Sequence, residues 1–190
     1  MAILDIILWL AAIEVIGFAT FPLVFVIFRR FDDRGYAFSK PLGLLFLVYP
    51  IWLTGSLGII PAGKITAFLA LTSLVLLGLF VARKNAKQMR IFFIDRWRIL
   101  LIGEAIFLVF FLGWTLYRTY DPIYTHTEQP MDFAFLNASI LATKFPPMDP
   151  WLSGNTISYY YFGSLINAIV AKIAFVSAPV AYNLGLSLVA

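Results

Sequence analysis

Residues 65–82 read ITAFLALTSLVLLGLFVA, an apolar run without a charged side chain. A helix needs roughly 20 apolar residues to cross the hydrocarbon core of a bilayer, and this run has about that length. Other predicted spans cover residues 3–28, 41–60, 99–118 and 157–176, and an incomplete one covers 179–190. The sequence therefore predicts an all-α, polytopic helical membrane protein. It has about five to six transmembrane helices in a single transmembrane domain over residues 1–190.

The composition favours the same class. Hydrophobic residues make up 62% of the chain and charged residues 13%, with a mean hydropathy of +0.90. Soluble domains carry about 45–50% apolar and about 25% charged residues. The chain has no cysteine, which excludes disulfides and thiolate catalysis. Its net charge of +4 follows the membrane topology, so the expected partners are membrane lipids and not nucleic acid.

Basic residues predict the orientation. They cluster in segments 29–40 and 83–98, which the positive-inside rule places in the cytoplasm. The N-terminus and a partly helical loop, 119–156, are then external, in an integral protein of a prokaryotic plasma membrane. The basic, aromatic segment 84–98 is expected to lie on anionic lipid. Because the last apolar run stops at Ala190 without a polar flank, we expect the chain to be the N-terminal portion of a longer protein, or a truncated fragment.

The external loop contains the chemically richest stretch, HTEQPMDFAFLN at residues 126–137. Pro130 suits the first turn of a helix, predicted over residues 130–143. Glu128 and Asp132 could converge near its start, where one carboxylate would act as a general base or both would hold a cation. The alternative is that Asp132 only stabilises the helix N-terminus and that Glu128 is solvated.

His126 is the only histidine. It could carry protons or join Glu128 and Asp132 around a metal, although no recognised ligand spacing supports that set. The more common interpretation is an exposed loop histidine. No metal site is therefore predicted, and a divalent cation is left as an open choice of cofactor.

Two further groups of residues allow two interpretations each. Trp151 and Tyr159–Tyr161 fit an interfacial aromatic belt or the wall of a groove for a lipid or sugar. Glu14 and Glu104 lie within predicted spans, where carboxylates are costly and mark either an ion path or hydrogen bonds between helices.

The motifs of the loop carry a family resemblance. Residues 128–137, Phe145-Pro146-Pro147, Asp149-Pro150-Trp151 and Tyr159-Tyr160-Tyr161-Phe162-Gly163 resemble the large "YYY" membrane proteins of archaea and Chloroflexi-type bacteria, the DUF2298 family. That family is placed near the polytopic GT-C glycosyltransferases. One departure is Gln129, where a basic residue is expected after the glutamate.

The resemblance implies a sugar donor carried on polyprenyl phosphate. It makes Asp132 the candidate catalytic base and Glu128 its partner, with Lys144 or Arg118 available to stabilise the phosphate leaving group. The expected substrate-binding residues are His126, Asn137, Lys144, Trp151, Tyr159, Tyr160 and Tyr161.

Three functional hypotheses follow. The first is a GT-C-like membrane glycosyltransferase, or its N-terminal part, that transfers a sugar at the external membrane face. The second is an ion-coupled transporter that uses Glu14 and Glu104. The third is a non-catalytic membrane scaffold or a truncated fragment.

Overall fold

A computed structural model describes residues 2–190, and the described residues form seven α-helices, one 3-10 helix and no strand. Four helices, α1–α4, are long and apolar enough to cross a membrane. This confirms the predicted all-α membrane fold. The helices are α1 Ile3–Ile27, α2 Ser39–Ser56, α3 Lys64–Lys84, α4 Ala86–Tyr120, α5 Gln129–Leu141, α6 Phe162–Ala174 and α7 Ala178–Val189, and the 3-10 helix is Tyr36–Phe38.

Helix α6 differs from the span predicted over residues 157–176. It has 13 residues and a length of about 20 Å, shorter than the roughly 30 Å hydrocarbon core. Phe175 ends it with a left-handed backbone, φ 56°, and α7 departs at a bend of 118°. The two helices form either one broken span or a re-entrant pair. The structure thus has four candidate spans, or five if the pair counts as one. Residues 157–176 were predicted as a full span because hydropathy does not show where a helix begins and ends within an apolar run.

Helix α4 joins two segments that the sequence analysis separated. The basic segment 84–98 is not an independent surface helix, since residues 86–98 continue without a break into the span 99–118. The stretch from Ala86 to Ile102 contains no glycine or proline to interrupt the helix. Met89 and Phe92 of this first part pack in the same apolar cluster as Phe21 and Phe25 of α1.

Helix α1 is the centre of the bundle and packs against α2, α3, α6 and α7. Its approach to α3 requires glycine at position 78, because a Cβ there would overlap the carbonyl oxygen of Ala19. The fully buried core side chains include Trp9, Ile13, Ile16, Leu47, Leu165 and Ile169.

Helix α4 meets α1 through side chains such as Met89 and Phe92, and not through a close approach of the two backbones. Its Cα atoms come within 8 Å of α3, α7 and the 3-10 helix, but not of α1 or α2. The separation leaves a gap between α2 and α4, which α6 and α7 close from one side.

The predicted helix over residues 130–143 is α5, Gln129–Leu141. Phe135 and Leu136 of this helix are buried, and the helix packs against α6 and α7. This packing brings the first turn of α5 to one end of the gap between α2 and α4.

Candidate functional site

The gap is a cavity of about 670 Å³ between α2, α4, α6 and α7. Small-molecule sites usually have volumes of about 300–1,000 Å³, so the cavity is large enough for a ligand. Polar side chains from α5, α6, α7 and the segment before α6 line one part, here called the α5 end: Asp132, Tyr160, Ser164, Asn167 and Tyr182. A second polar group, Tyr36, Lys40 and Glu104, lines the wall formed by α2, α4 and the 3-10 helix.

Asp132 is in the first turn of α5, where its backbone N–H donates to the carbonyl oxygen of Glu128 over 3.1 Å. Its side chain is half-buried and lines the cavity. Burial, and secondly the charge of Glu128, raise the pKa of Asp132. Glu128 itself is exposed and outside the cavity wall. The two candidate catalytic residues are thus coupled electrostatically, while only Asp132 reaches the cavity.

Tyr182 is a site residue that the sequence analysis did not select. Its ring is buried and meets the rings of Tyr124 and Phe133 edge-on, with centroids 6.3 and 5.7 Å away. Its hydroxyl is buried without a hydrogen-bond partner among residues 2–190. An unpaired buried hydroxyl costs about 1–3 kcal/mol. The sequence feature that could have identified it is a pair of polar residues, Tyr182 and Asn183, inside an apolar helix.

Arg118 is also buried, but it is not part of the cavity wall. Its Nε donates to Oδ1 of Asn183 over 2.7 Å, and its Nη2 donates to the carbonyl oxygen of Ile123 over 2.8 Å. These bonds attach the end of α4 to α7. Arg118, a candidate for stabilising the leaving phosphate, therefore connects two helices instead.

The three tyrosines before α6 have different positions. Tyr160 lines the cavity and stacks on Tyr159, with centroids 3.9 Å apart. Tyr159 is the main cause that raises the pKa of Tyr160 to about 12. Tyr161 points into the bundle, where its hydroxyl accepts a hydrogen bond from Nε1 of Trp52 over 2.8 Å.

Trp151 and Tyr159 lie over the α5 helix. Their rings are 5.9 and 6.1 Å from that of Phe135, and both are exposed. These rings form an aromatic surface next to the cavity rather than part of its wall.

The remaining candidate substrate-binding residues lie outside the cavity wall. His126 is exposed, with its Nε2 3.5 Å from Oδ2 of Asp121. The amide of Asn137 donates to the carbonyl oxygen of Phe133 over 2.7 Å, and Lys144 is exposed. Within residues 2–190, no three His, Asp or Glu side chains are close enough to hold a metal ion. The set of His126, Glu128 and Asp132 is therefore not assembled.

Lys40 connects the two intramembrane carboxylates. Its Nζ is 2.6 Å from Oε2 of Glu104 and 3.3 Å from Oε1 of Glu14. The hydroxyl of Tyr36 donates to the same Oε2 of Glu104 over 2.8 Å. This Lys40 cluster, made of Glu14, Tyr36, Lys40 and Glu104, bridges the gap from α1 and α2 to α4.

Lys40 was predicted to lie in a basic loop, 29–40. The structure places it instead in the first turn of α2, with its side chain only 12% exposed. The boundary between the loop and the helix was placed at Pro41 from hydropathy alone. Hydropathy cannot show that two carboxylates far away in the sequence face this lysine.

The sequence model of one protein family, described as "Uncharacterized membrane protein (DUF2298)", matches residues 46–190. The chain belongs to the DUF2298 family. The match confirms the resemblance seen in the loop motifs and extends it upstream into α2. It includes Asp132, Tyr160 and Tyr182, so the α5 end of the cavity lies within the DUF2298 region. No curated protein and no solved structure matches the chain.

Proposed function

We propose that this DUF2298 protein is a GT-C-like membrane glycosyltransferase. It transfers a sugar from a polyprenyl-phosphate donor at the external face of a prokaryotic plasma membrane. The observation that carries the proposal is the position of Asp132. A half-buried carboxylate with a raised pKa lines a ligand-sized cavity beside two tyrosines.

The proposed reaction is a displacement at the anomeric carbon. The acceptor hydroxyl oxygen forms the new bond to that carbon while Asp132 takes the hydroxyl proton. The bond from the anomeric carbon to the phosphate oxygen breaks, and its electron pair leaves with the phosphate. A general base of raised pKa is more effective near neutral pH than an ordinary aspartate, which suits Asp132 to this role. The exposed rings of Trp151 and Tyr159 would contact the CH groups of the sugar.

The test is sugar transfer by the purified protein in liposomes. Radiolabelled polyprenyl-phosphate sugars are supplied, and labelled products are separated from the donor. We expect transfer that depends on Asp132. Transfer that continues unchanged in Asp132→Asn would contradict the assigned base, and no transfer from any of the donors would contradict the reaction class.

Replacing Glu128 by Gln is expected to move the acid side of the pH–rate profile to lower pH. The negative charge of Glu128 raises the pKa of Asp132, so its removal lowers that pKa. Because the base must be deprotonated, transfer rises as the pH rises through this pKa. The measurement is kcat/KM against pH, with Asp95→Asn, an exposed carboxylate on α4, as the control. An acid limb that stays in place or moves to higher pH would show that Glu128 does not act on the base.

The Lys40 cluster favours a second candidate, an ion-coupled transporter. Intramembrane carboxylates that face a cavity are a common feature of ion pathways, and Glu104 lines the cavity here. This candidate predicts that Glu14→Gln ends proton-driven uptake into vesicles while Asp132→Asn has little effect. Uptake that is lost only in Asp132→Asn would oppose it.

A further inference from the structure

We propose that the cavity binds a lipid with an uncharged, hydroxyl-bearing head group. Its head lies at the α5 end, among Asp132, Tyr160 and Tyr182, and its chain lies between α2 and α4. The identification of this lipid as the sugar acceptor rests on the proposed function. Its binding does not, and can be measured without any donor.

The entrance to the cavity suits a hydrocarbon chain. Ile106 of α4 lines the cavity and is 54% exposed. The interior beside it is lined by apolar side chains such as Leu44, Phe107, Leu136 and Ile166. Beside the Lys40 cluster, which crosses the gap between α2 and α4, this apolar lining would let a chain enter from the hydrocarbon of the bilayer.

The charges of the wall select against a phosphate head group. Asp132 lines the α5 end, and the negative Glu128 is close enough to raise its pKa. Among the described residues that line the cavity, Lys40 is the one cation. Glu104 and Glu14 already hold its Nζ at 2.6 and 3.3 Å. A phosphate inside the cavity would therefore meet negative charge without a cation to neutralise it. In the proposed reaction the donor phosphate accordingly stays outside the cavity, on the side of the exposed Trp151 and Tyr159 rings.

Hydroxyl groups match the same end of the cavity. The Asp132 carboxylate accepts hydrogen bonds, and Ser164 and Asn167 add further polar groups to the wall. The buried hydroxyl of Tyr182 lacks a partner within residues 2–190, and a sugar or glycerol hydroxyl would supply one. These contacts together favour a neutral glycolipid over a phospholipid.

The test uses monoglucosyl diacylglycerol and phosphatidylglycerol with the same acyl chains. Both are offered in equal amounts to the delipidated protein, and retained lipid is counted by native mass spectrometry. We expect the glycolipid to be retained at least tenfold more than the phospholipid. Equal retention, or a preference for phosphatidylglycerol, would overturn the proposal.

Two glycines of α4 give a matched pair that locates the bound lipid. Gly103 lines the cavity, and a Cβ there meets only a Tyr36 ring carbon at 3.8 Å. Gly113 is outside the cavity wall, and a Cβ there meets nothing within 4 Å. Gly103→Leu should reduce glycolipid retention at least tenfold while Gly113→Leu leaves it unchanged. Equal retention by the two variants would show that the lipid binds elsewhere.

Tyr182→Phe tests the head group contact. It removes a hydroxyl that has no partner in the protein, so the fold should be retained, and glycolipid affinity should fall about fivefold for the loss of one hydrogen bond. Tyr117→Phe, at an exposed position of the same bundle, is the control. Equal affinities of the two variants would overturn the assigned head group position.

Glycolipid binding without any sugar transfer would support this inference while contradicting the proposed function, and transfer without glycolipid binding would do the reverse.

Discussion

Replacing Asp132 by Asn is expected to lower the rate of sugar transfer by a factor of about 10² to 10⁴, the usual contribution of a general base. Asparagine has nearly the same shape, so the first turn of α5 and the lining of the cavity remain. It cannot accept the proton of the acceptor hydroxyl. The loss should therefore appear in kcat, while lipid binding changes far less. The measurement is single-turnover transfer from a radiolabelled polyprenyl-phosphate donor in liposomes.

The matched control is Asp95→Asn, which removes an exposed carboxylate in the N-terminal part of α4. Its rate should equal that of the wild type. The melting temperature of Asp132→Asn in detergent should stay within a few degrees of the wild type, which separates loss of the base from loss of the fold. An Asp132→Asn rate within twofold of the control would remove Asp132 from the mechanism.

Replacing Lys40 by Met is expected to lower the free energy of unfolding by about 3 kcal/mol. Loss of one partner from a buried ion pair typically costs about 3–5 kcal/mol, and the side chains of this cluster retain some exposure, 12% for Lys40, 23% for Glu14 and 21% for Glu104. The variant leaves Glu14 of α1 and Glu104 of α4 facing each other without a cation. Because Lys40 joins α2 to α4, whose Cα atoms stay more than 8 Å apart, the loss should also loosen this side of α4. Unfolding in detergent by a graded denaturant measures the change.

Two further variants test whether the unpaired charges cause the loss of stability in Lys40→Met. Lys87→Met removes an exposed lysine of α4 and should change the stability by less than about 0.5 kcal/mol. A triple variant, with Lys40→Met, Glu14→Gln and Glu104→Gln, removes the unpaired charges together and should recover most of the loss. If Lys40→Met is as stable as Lys87→Met, the cluster does not hold α4 to the bundle.

Several elements could be predicted because their causes are local. The span predicted over residues 3–28 is α1, Ile3–Ile27, since a long apolar run forms a helix wherever it crosses lipid. The helix predicted over residues 130–143 is α5, Gln129–Leu141, since Pro130 marks its first turn. Asp132 was selected on the same local signal, together with the family resemblance.

Other features depend on how the helices meet. Hydropathy predicted a full span over residues 157–176, although α6 has only the 13 residues Phe162–Ala174, and it cannot show the turn of 118° between α6 and α7. It divided α4 in two, although residues 86–120 form one helix. The loop residues His126, Asn137 and Lys144 were expected to bind the substrate, and the cavity wall includes none of them.

By itself the sequence determined the membrane class, the long helices and the position of Asp132 at a helix start. Composition and local spacing suffice for these features, because each depends only on contact with lipid or on residues nearby in the chain. The tertiary structure alone decided that Lys40 meets Glu14 and Glu104, and that Tyr182 joins Asp132 at one cavity. Lys40 is 26 positions from Glu14 and 64 positions from Glu104, and Tyr182 is 50 positions from Asp132. Only the packing of α1, α2, α4, α5 and α7 against one another brings them together, and apolar helices of similar hydropathy carry little information on which of them will be neighbours.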